Sequence, residues 1–439
     1  MAQSDPASGF AFRGSPRDAL FGATVGFFIG FGAVSLFGPT AHRFIEVMQL
    51  SPFQVGLLVS IPLLTGSLLR IPFGAWVDST GGKQPFLVLL VLSLIGIAGL
   101  WYMLLTLYPE HLTQKHYPLL LLFGALGGCG IATFSVGIGQ VSYWYPRSQQ
   151  GSALAIYAGL GNTSPGLVTL ILPLIIAFAG LWAAYMVSVG IVIAGLILYA
   201  ILGHNAWYFQ LRRHGRAPAD ARGAAEQAGQ EVFPQKSALH ALWEAAKIWR
   251  TWILVILYFT TFGGFLALTA WLPNYWQSYF GVSNWTAVIM TASFSLLSSV
   301  IRVPGGSLSD RMGGERVAGI SLLILLAGAL LVSFSDTPVL AGFAMLIVAV
   351  GMGVNNAAVF RLVPDYVPEA VGGAAGWVGG LGALGGFAVP PLLGQAVEWM
   401  GPVGYARGYL VYAALAALSL VLIWLTAPHR EAPRVAPVS

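Results

Sequence analysis

Ser67-Leu68-Leu69-Arg70-Ile71-Pro72-Phe73-Gly74 and Ser299-Val300-Ile301-Arg302-Val303-Pro304-Gly305-Gly306 are one motif written twice, each with a single arginine inside an otherwise apolar run. The first copy continues to Asp78 and Gly81-Gly82, the second to Asp310 and Gly313-Gly314. An arginine near the middle of a membrane costs roughly 2.5 to 3.5 kcal/mol on insertion scales, so two at equivalent depth demand a partner. A carboxylate is the ordinary choice. Yet all sixteen acidic residues fall in tails, loops or helix ends. Two unpaired cations facing each other would repel unless an anion entered between them, so the missing counter-charge reads as a ligand. The competing reading is that each arginine bonds to backbone carbonyls or snorkels to the surface. Arginine in place of lysine favours the first, because a planar fork of donors suits a planar oxyanion.

Little else in the chain can do chemistry. The seven histidines (His42, His111, His116, His204, His214, His240 and His429) lie in loops or at helix ends, leaving no buried acid or base for an enzyme. The lone Cys129, in Gly127-Gly128-Cys129-Gly130, excludes an intramolecular disulfide and a cysteine-based metal cluster, and reads as a small residue at a tight helix contact. Neither a metal nor a cofactor is expected.

The elements that must hold the arginines are membrane helices. Of 439 residues 57% are apolar, and only 21 Lys+Arg and 16 Asp+Glu are present, far below the charged quarter of a soluble chain. This excludes a large soluble domain. The net charge of +5 calls for no nucleic acid, since cytoplasmic loops of membrane proteins are basic. Apolar runs between polar breaks predict twelve spans: 18–42, 53–76, 84–107, 117–143, 151–176 and 181–202, then 251–279, 284–308, 316–335, 338–362, 370–398 and 406–427. Residues 1–17 form a retained cytoplasmic tail. Residues 203–250, Ala/Gly/Gln-rich with little to bury, form a cytoplasmic linker between six-helix halves 18–202 and 251–427, and 428–439 a cytoplasmic tail. With both termini inside, sixteen of the 21 basic residues are cytoplasmic and three (Arg43, Lys115, Arg407) are not, satisfying the positive-inside rule. The arginine motif falls in spans 2 and 8, which cross in the same direction. Two halves related by an axis along the membrane normal follow, with a site between them near the midplane.

Glycine clusters mark corresponding helices of the two halves. Span 5 carries Ala158-Gly159-Leu160-Gly161-Asn162, and span 11 carries Gly372-Gly373, Gly376, Gly379-Gly380, Gly382 and Gly385-Gly386. Faces without side chains let helices approach and slide, so Gly159, Gly161, Gly379, Gly382, Gly385 and Gly386 read as packing or gating positions.

The loops Gly74-x-x-x-Asp78 and Gly306-x-x-x-Asp310-Arg311-x-Gly313-Gly314-x-Arg316 resemble the signature between helices 2 and 3, and 8 and 9, of the major facilitator superfamily. The resemblance implies a gating role for Asp78, Asp310 and Arg311; the first copy departs from it with Ser79 where the second has Arg311. Trp144-Tyr145-Pro146-Arg147-Ser148-Gln149-Gln150-Gly151 leading into Ala158–Asn162 resembles the nitrate signature of the nitrate/nitrite porter (NarK-type) family. Gly376-Trp377-Val378-Gly379-Gly380-Leu381-Gly382-Ala383-Leu384-Gly385-Gly386-Phe387 resembles its second signature, and Tyr258-Phe259-Thr260-Thr261-Phe262-Gly263-Gly264-Phe265 extends the likeness to span 7. It implies that Arg70 and Arg302 grip the anion, that Tyr258 and Asn162 hydrogen-bond near it, and that Phe31, Phe134 and Phe262 are aromatic walls. Gln140 and Tyr157, where asparagines are common, and Ser164-Pro165 depart from the pattern.

The expected fold is therefore all-α, a twelve-helix major facilitator. The expected function is secondary active transport of nitrate and nitrite by alternating access, as an antiporter. A proton-coupled nitrate symporter is the alternative within transport, and a membrane-embedded enzyme or a passive anion channel are the alternatives outside it. The expected partners are small inorganic anions and the lipid bilayer of a plasma membrane, with no nucleic acid, and the protein is expected to be a monomer.

Overall fold

The computed structural model describes residues 12–232 and 238–426, and only the backbone of Arg147, Ser148, Ala238 and Leu239. The expected C-terminal tail and most of the N-terminal tail lie outside the described residues. Within them the chain is helical, with eleven helices long and apolar enough to cross a membrane: Pro16–Met48, Pro52–Thr80, Lys83–Leu107, Gln114–Trp144, Gln149–Ala179, Leu181–Leu202, Trp249–Phe280, Asn284–Met312, Gly314–Ser333, Pro338–Tyr366 and Val371–Arg407. A twelfth apolar helix, Leu410–Thr426, is shorter and ends where the described residues end. These are spans 1 to 12. The bundle's two ends are the linker end, where span 6 finishes and span 7 starts, and the far end.

Local chemistry sets the helix boundaries. Ser51 accepts from the Gln54 amide while the Gln54 side chain accepts from Ser51, a reciprocal cap that starts span 2 with Pro52 in its first turn. At the linker end, Gly81 (φ +78°) and Gly313 (φ +89°) stop spans 2 and 8 in a left-handed conformation that a side chain disfavours. The repeated glycines of the arginine motif are thus helix stops. Inside the same motif, Pro72 and Pro304 lack the N–H that would close onto the carbonyls of Leu68 and Val300. Both helices are interrupted there, at Leu69 and Ile301, and each arginine opens the segment beyond the break, Arg70–Thr80 and Arg302–Met312.

Two interruptions are of another kind. Span 7 winds as a π-helix over Phe259–Gly263 and span 11 over Val378–Gly382, and these two turns touch. A π-turn adds a residue to the helical ring and recurs at functional sites.

Residues 203–250 differ from the expected featureless linker. Three helices lie there, Trp207–Arg213, Pro218–Gln227 and Ala238–Lys247. Tyr208, Phe209, Leu211, Ala221 and Ala225 are buried, Phe209 lies edge-on to Tyr143 at 4.8 Å, and Trp377 donates to the Leu242 carbonyl at 2.8 Å. The few apolar residues of an otherwise polar stretch are enough to tie it to spans 4 and 11.

The halves meet unevenly. At the far end, Pro52–Leu68 of span 2 packs along Gly385–Met400 of span 11, and Ser164–Ala179 of span 5 along Asn284–Val300 of span 8. At the linker end the continuations of these same helices touch only lightly. The bundle is sealed at the far end and loose at the linker end.

Candidate functional site

Arg70 and Arg302 are brought to one place by the symmetric breaks in spans 2 and 8. Arg70 is 2% exposed and is the only charged side chain among the described residues that is fully buried. Its Nη1 donates to the Gly379 carbonyl at 3.0 Å, across the interface between halves, while its Nε and Nη2 have no partner. Those two donors form one edge of the guanidinium, the edge that engages an oxyanion through two parallel hydrogen bonds. Arg302 is half-buried; its Nη2 donates to the Tyr258 hydroxyl at 3.3 Å and its Nη1 is buried without a partner. Two guanidinium groups therefore keep donors in reserve, with no buried Asp, Glu or His among the described residues to take them.

Aromatic rings wall the space. The Arg70 guanidinium carbon is 4.9 Å from the Phe134 ring centre and 5.2 Å from that of Phe262, which is also 5.2 Å from the Arg302 guanidinium carbon. Phe134 and Phe262 stack across the halves at 6.3 Å, and Tyr258 stacks on Phe262 at 4.7 Å, within one turn of the span 7 π-helix. These rings stabilise the cations while the donors are idle and offer flat faces to a flat anion. Phe31 stands one ring further out, against Phe27 at 4.8 Å, and Phe27 in turn lies against Phe134 at 5.2 Å. Asn162 is buried near the crossing of spans 5 and 8, where Ser299 donates to its carbonyl at 3.0 Å. Its Nδ2 is engaged by the Ala158 carbonyl at 2.6 Å, which leaves Oδ1 free.

The glycines divide by what a side chain would meet. A Cβ on Gly161 would run into the Phe27 ring, on Gly382 into Tyr258 at 2.8 Å, on Gly386 into Leu266 at 2.9 Å, and on Gly385 into the Phe259 carbonyl. These are packing positions, chiefly inside one half. Gly159 and Gly379, expected to pack, have open space in front of them. The reason at Gly379 is its place in the π-turn: it is buried, its carbonyl holds Arg70, and its missing side chain leaves room beside that guanidinium. The glycines that join the halves at the far end were not singled out in the sequence. A Cβ on Gly56 would strike the Pro390 carbonyl and one on Gly394 the Pro52 carbonyl. Their only sequence signal is a small residue in each of spans 2 and 11.

At the linker end, the Asp78 carboxylate accepts from the Tyr143 hydroxyl at 3.0 Å. Asp310 pairs with Arg361 of span 10 at 3.2 Å, and Arg361 also with Asp365 at 3.1 Å. The base paired with Asp310 is Arg361; Arg311 is exposed in the last turn of span 8. Gln140 lies off the arginine site: it accepts from Tyr199 at 2.6 Å and donates to the His204 carbonyl at 3.0 Å. Burial, then the nearby Lys83, push the His204 imidazole below its usual range. Tyr157 donates to the Thr133 and Phe134 carbonyls at 2.9 and 3.1 Å. Of the departures from the family pattern, Gln140 and Tyr157 hold span 4 in place.

Residues 23–390 match the family model described as Major Facilitator Superfamily, with a second match over 286–439. The chain is 30% identical to "Probable nitrate/nitrite antiporter NarK1" of Thermus thermophilus over 414 residues, 88% of this chain and 87% of that one. It belongs to the major facilitator superfamily, in its nitrate/nitrite porter family. The porter is also 30% identical to "Nitrite extrusion protein" of Bacillus subtilis (strain 168), over 86% of each chain. Among solved structures, the partially occluded inward-open xylose transporter XylE from E. coli superposes with a TM-score of 0.72 over 94% of the porter and 98% of XylE, at 15% identity. That likeness carries the fold alone.

One far-end contact of the porter invites a test. Glu398 on span 11 accepts from the Phe53 amide at the start of span 2, at 3.1 Å, and so ties the halves through a carboxylate on a helix N-terminus. Glu398→Gln is expected to shift the balance of conformations toward far-end opening by roughly two- to fivefold, what such an exposed contact contributes. Labelling of a cysteine placed at Ser60 reads this against a background of one buried cysteine, Cys129. Unchanged labelling would show that the contact does not bias the gate.

Proposed function

We propose that this porter exchanges nitrate for nitrite across a plasma membrane by alternating access, the anion bound between Arg70 and Arg302. The observation that carries the reading is the idle Nε–Nη2 edge of a buried Arg70, with Arg302 Nη1 also idle and no buried carboxylate to meet either. The names of the relatives supply the substrate class: nitrate/nitrite antiporter and nitrite extrusion protein. Asn162 and Tyr258 bond the anion's flanks; Phe134 and Phe262 cover its faces, with Phe31 behind them.

The basic residues put the linker end in the cytoplasm together with both termini. The form seen here is then closed to the outside and loosened toward the cytoplasm. Halves 18–202 and 251–427 rock about the site, with Asp78 and the Asp310–Arg361 pair as contacts that form and break at the cytoplasmic end. The porter works as a monomer, since the site draws on two halves of one chain.

Exchange, not proton symport, follows from electrostatics. An empty carrier has to pass two unneutralised guanidinium groups through a dry, occluded state, whereas a bound anion cancels one charge. No buried Asp, Glu or His among the described residues stands ready to carry a proton, and an unperturbed tyrosine hydroxyl with a pKa near 10 is a poor carrier at neutral pH. Proteoliposomes loaded with nitrite are expected to take up nitrate, and liposomes holding neither anion to take up almost none, even under an inward proton gradient. Robust uptake into the empty liposomes that collapses with the gradient would replace exchange by symport.

A further inference from the structure

Asn356, on span 10, is a buried amide with nothing to bond. It is 1% exposed, and neither Nδ2 nor Oδ1 has a partner. Its neighbour Asn355 is engaged with span 9, donating to the Ala318 carbonyl at 3.2 Å and the Ser321 hydroxyl at 3.0 Å. Buried amides are nearly always satisfied, so an orphan requires an explanation.

The contacts of span 10 show where Asn356 faces. One turn to either side, Phe360 lies edge-on to Tyr258 at 5.1 Å, and Met352 fills the space beside Gly264 of span 7. Gly353 presses on Ile301 and the Ser298 carbonyl, and Val354 on Gly305, all of span 8. At 100° per residue, Asn356 lies midway between Phe360 and Met352, on the face that meets span 7, with Gly353 and its span 8 contact about 60° to one side. Tyr258, against which Phe360 packs, is the residue that holds Arg302.

The internal repeat leads to the same place independently. Setting Trp144-Tyr145-Pro146 after span 4 against Tyr366-Val367-Pro368 after span 10 puts Phe134 opposite Asn356. Phe134 is the residue that lies 4.9 Å from the Arg70 guanidinium. Asn356 therefore stands to Arg302 as Phe134 stands to Arg70, with an amide in place of a ring.

The free donors suggest what the amide does, given the anion site proposed above. The Nε–Nη2 edge of Arg70 takes two oxygens, which nitrate and nitrite share. A planar anion held by that edge turns its remaining vertex toward Arg302: a third oxygen in nitrate, the nitrogen lone pair in nitrite. We propose that Asn356 is a substrate-positioning residue that distinguishes the two anions: in the anion-bound form its Nδ2 donates to the third oxygen of nitrate and its Oδ1 accepts from Arg302 Nη1, a bond that the form described here does not make.

Half-saturation concentrations for nitrate and for nitrite, measured in the same proteoliposomes, test this. Asn356→Ala is expected to weaken nitrate by at least about tenfold, the worth of one hydrogen bond to a charged group, and nitrite by less than about twofold. Asn356→Leu keeps the size and removes the orphan amide, so its thermal midpoint should equal or exceed the parent's while nitrate preference is still lost. A purely structural residue would move both anions together and lower the midpoint. An unchanged nitrate-to-nitrite ratio in both variants overturns the proposal. If the unaltered porter transports nitrate and Arg70→Lys abolishes it, that result leaves the anion site standing; if the unaltered porter transports neither anion, the anion site falls first.

Discussion

Arg70→Lys is expected to weaken nitrate binding by at least about a hundredfold and to stop exchange at ordinary substrate concentrations. Lysine keeps the positive charge and loses the fork. In the proposed site the Nε–Nη2 edge supplies two charge-assisted hydrogen bonds, each worth roughly 1.5 to 3 kcal/mol, and a single ammonium replaces one of them at best. Nη1 also ties span 2 to the Gly379 carbonyl, so the substitution removes the contact that aims the edge. Arg302→Lys should fall less steeply, because Arg302 is half-buried and one of its donors is taken by Tyr258. Calorimetric titration of nitrate into each purified variant measures the loss apart from the transport cycle, and liposome uptake measures the sum. Both lysine variants binding nitrate at parental strength would move the site elsewhere in the protein.

Gly56→Leu and Gly394→Leu are expected to lower exchange by more than a hundredfold while leaving a folded, inserted protein that still binds nitrate. The cause is steric. At each position the first atom of a side chain would collide with a backbone carbonyl of the opposite half, Pro390 and Pro52 respectively, and a carbonyl in a helix cannot swing aside as a side chain can. The only relief is to part spans 2 and 11, which holds the porter open at the far end. By contrast, Gly161→Leu sets a side chain against Phe27 within the N-terminal half, and Gly382→Leu against Tyr258 within the C-terminal half. Those two should cost stability or distort the site before they arrest the cycle. Cysteine labelling from the far end separates the classes: raised for Gly56→Leu and Gly394→Leu, and near the parent's for Gly161→Leu. Normal exchange by either far-end variant would mean that this crossing does not close during transport.

How much was readable in advance depends on the range of the forces involved. In a bilayer every backbone polar group must bond within its own segment, so apolar length alone specifies helices, and the twelve spans follow from composition and spacing. The repeat of Arg70 and Arg302 with the same downstream proline and glycines was equally legible, because those residues act on their own helix by breaking it and then stopping it. From the lack of a carboxylate at that depth, an anion could be inferred without a structure. Resemblance to a family, not spacing, selected Tyr258, Phe134 and Phe262, and the folded chain sets all three beside the guanidinium groups.

What only the tertiary structure decided lies between segments far apart in the chain. Gly56 and Gly394 are ordinary small residues until span 2 crosses span 11, and Gly379 is one glycine among many until a π-turn aims its carbonyl at Arg70, 309 positions away. The linker's buried Tyr208 and Phe209 looked sparse in a polar stretch, and span 4 supplies the surface that buries them. Asn356 gave no signal of its own, because an asparagine in a span is unremarkable until its neighbours on every side are known to be apolar or already bonded. Helix formation depends on local bonds that sequence specifies, whereas which donor is left idle depends on the shape of the whole interface.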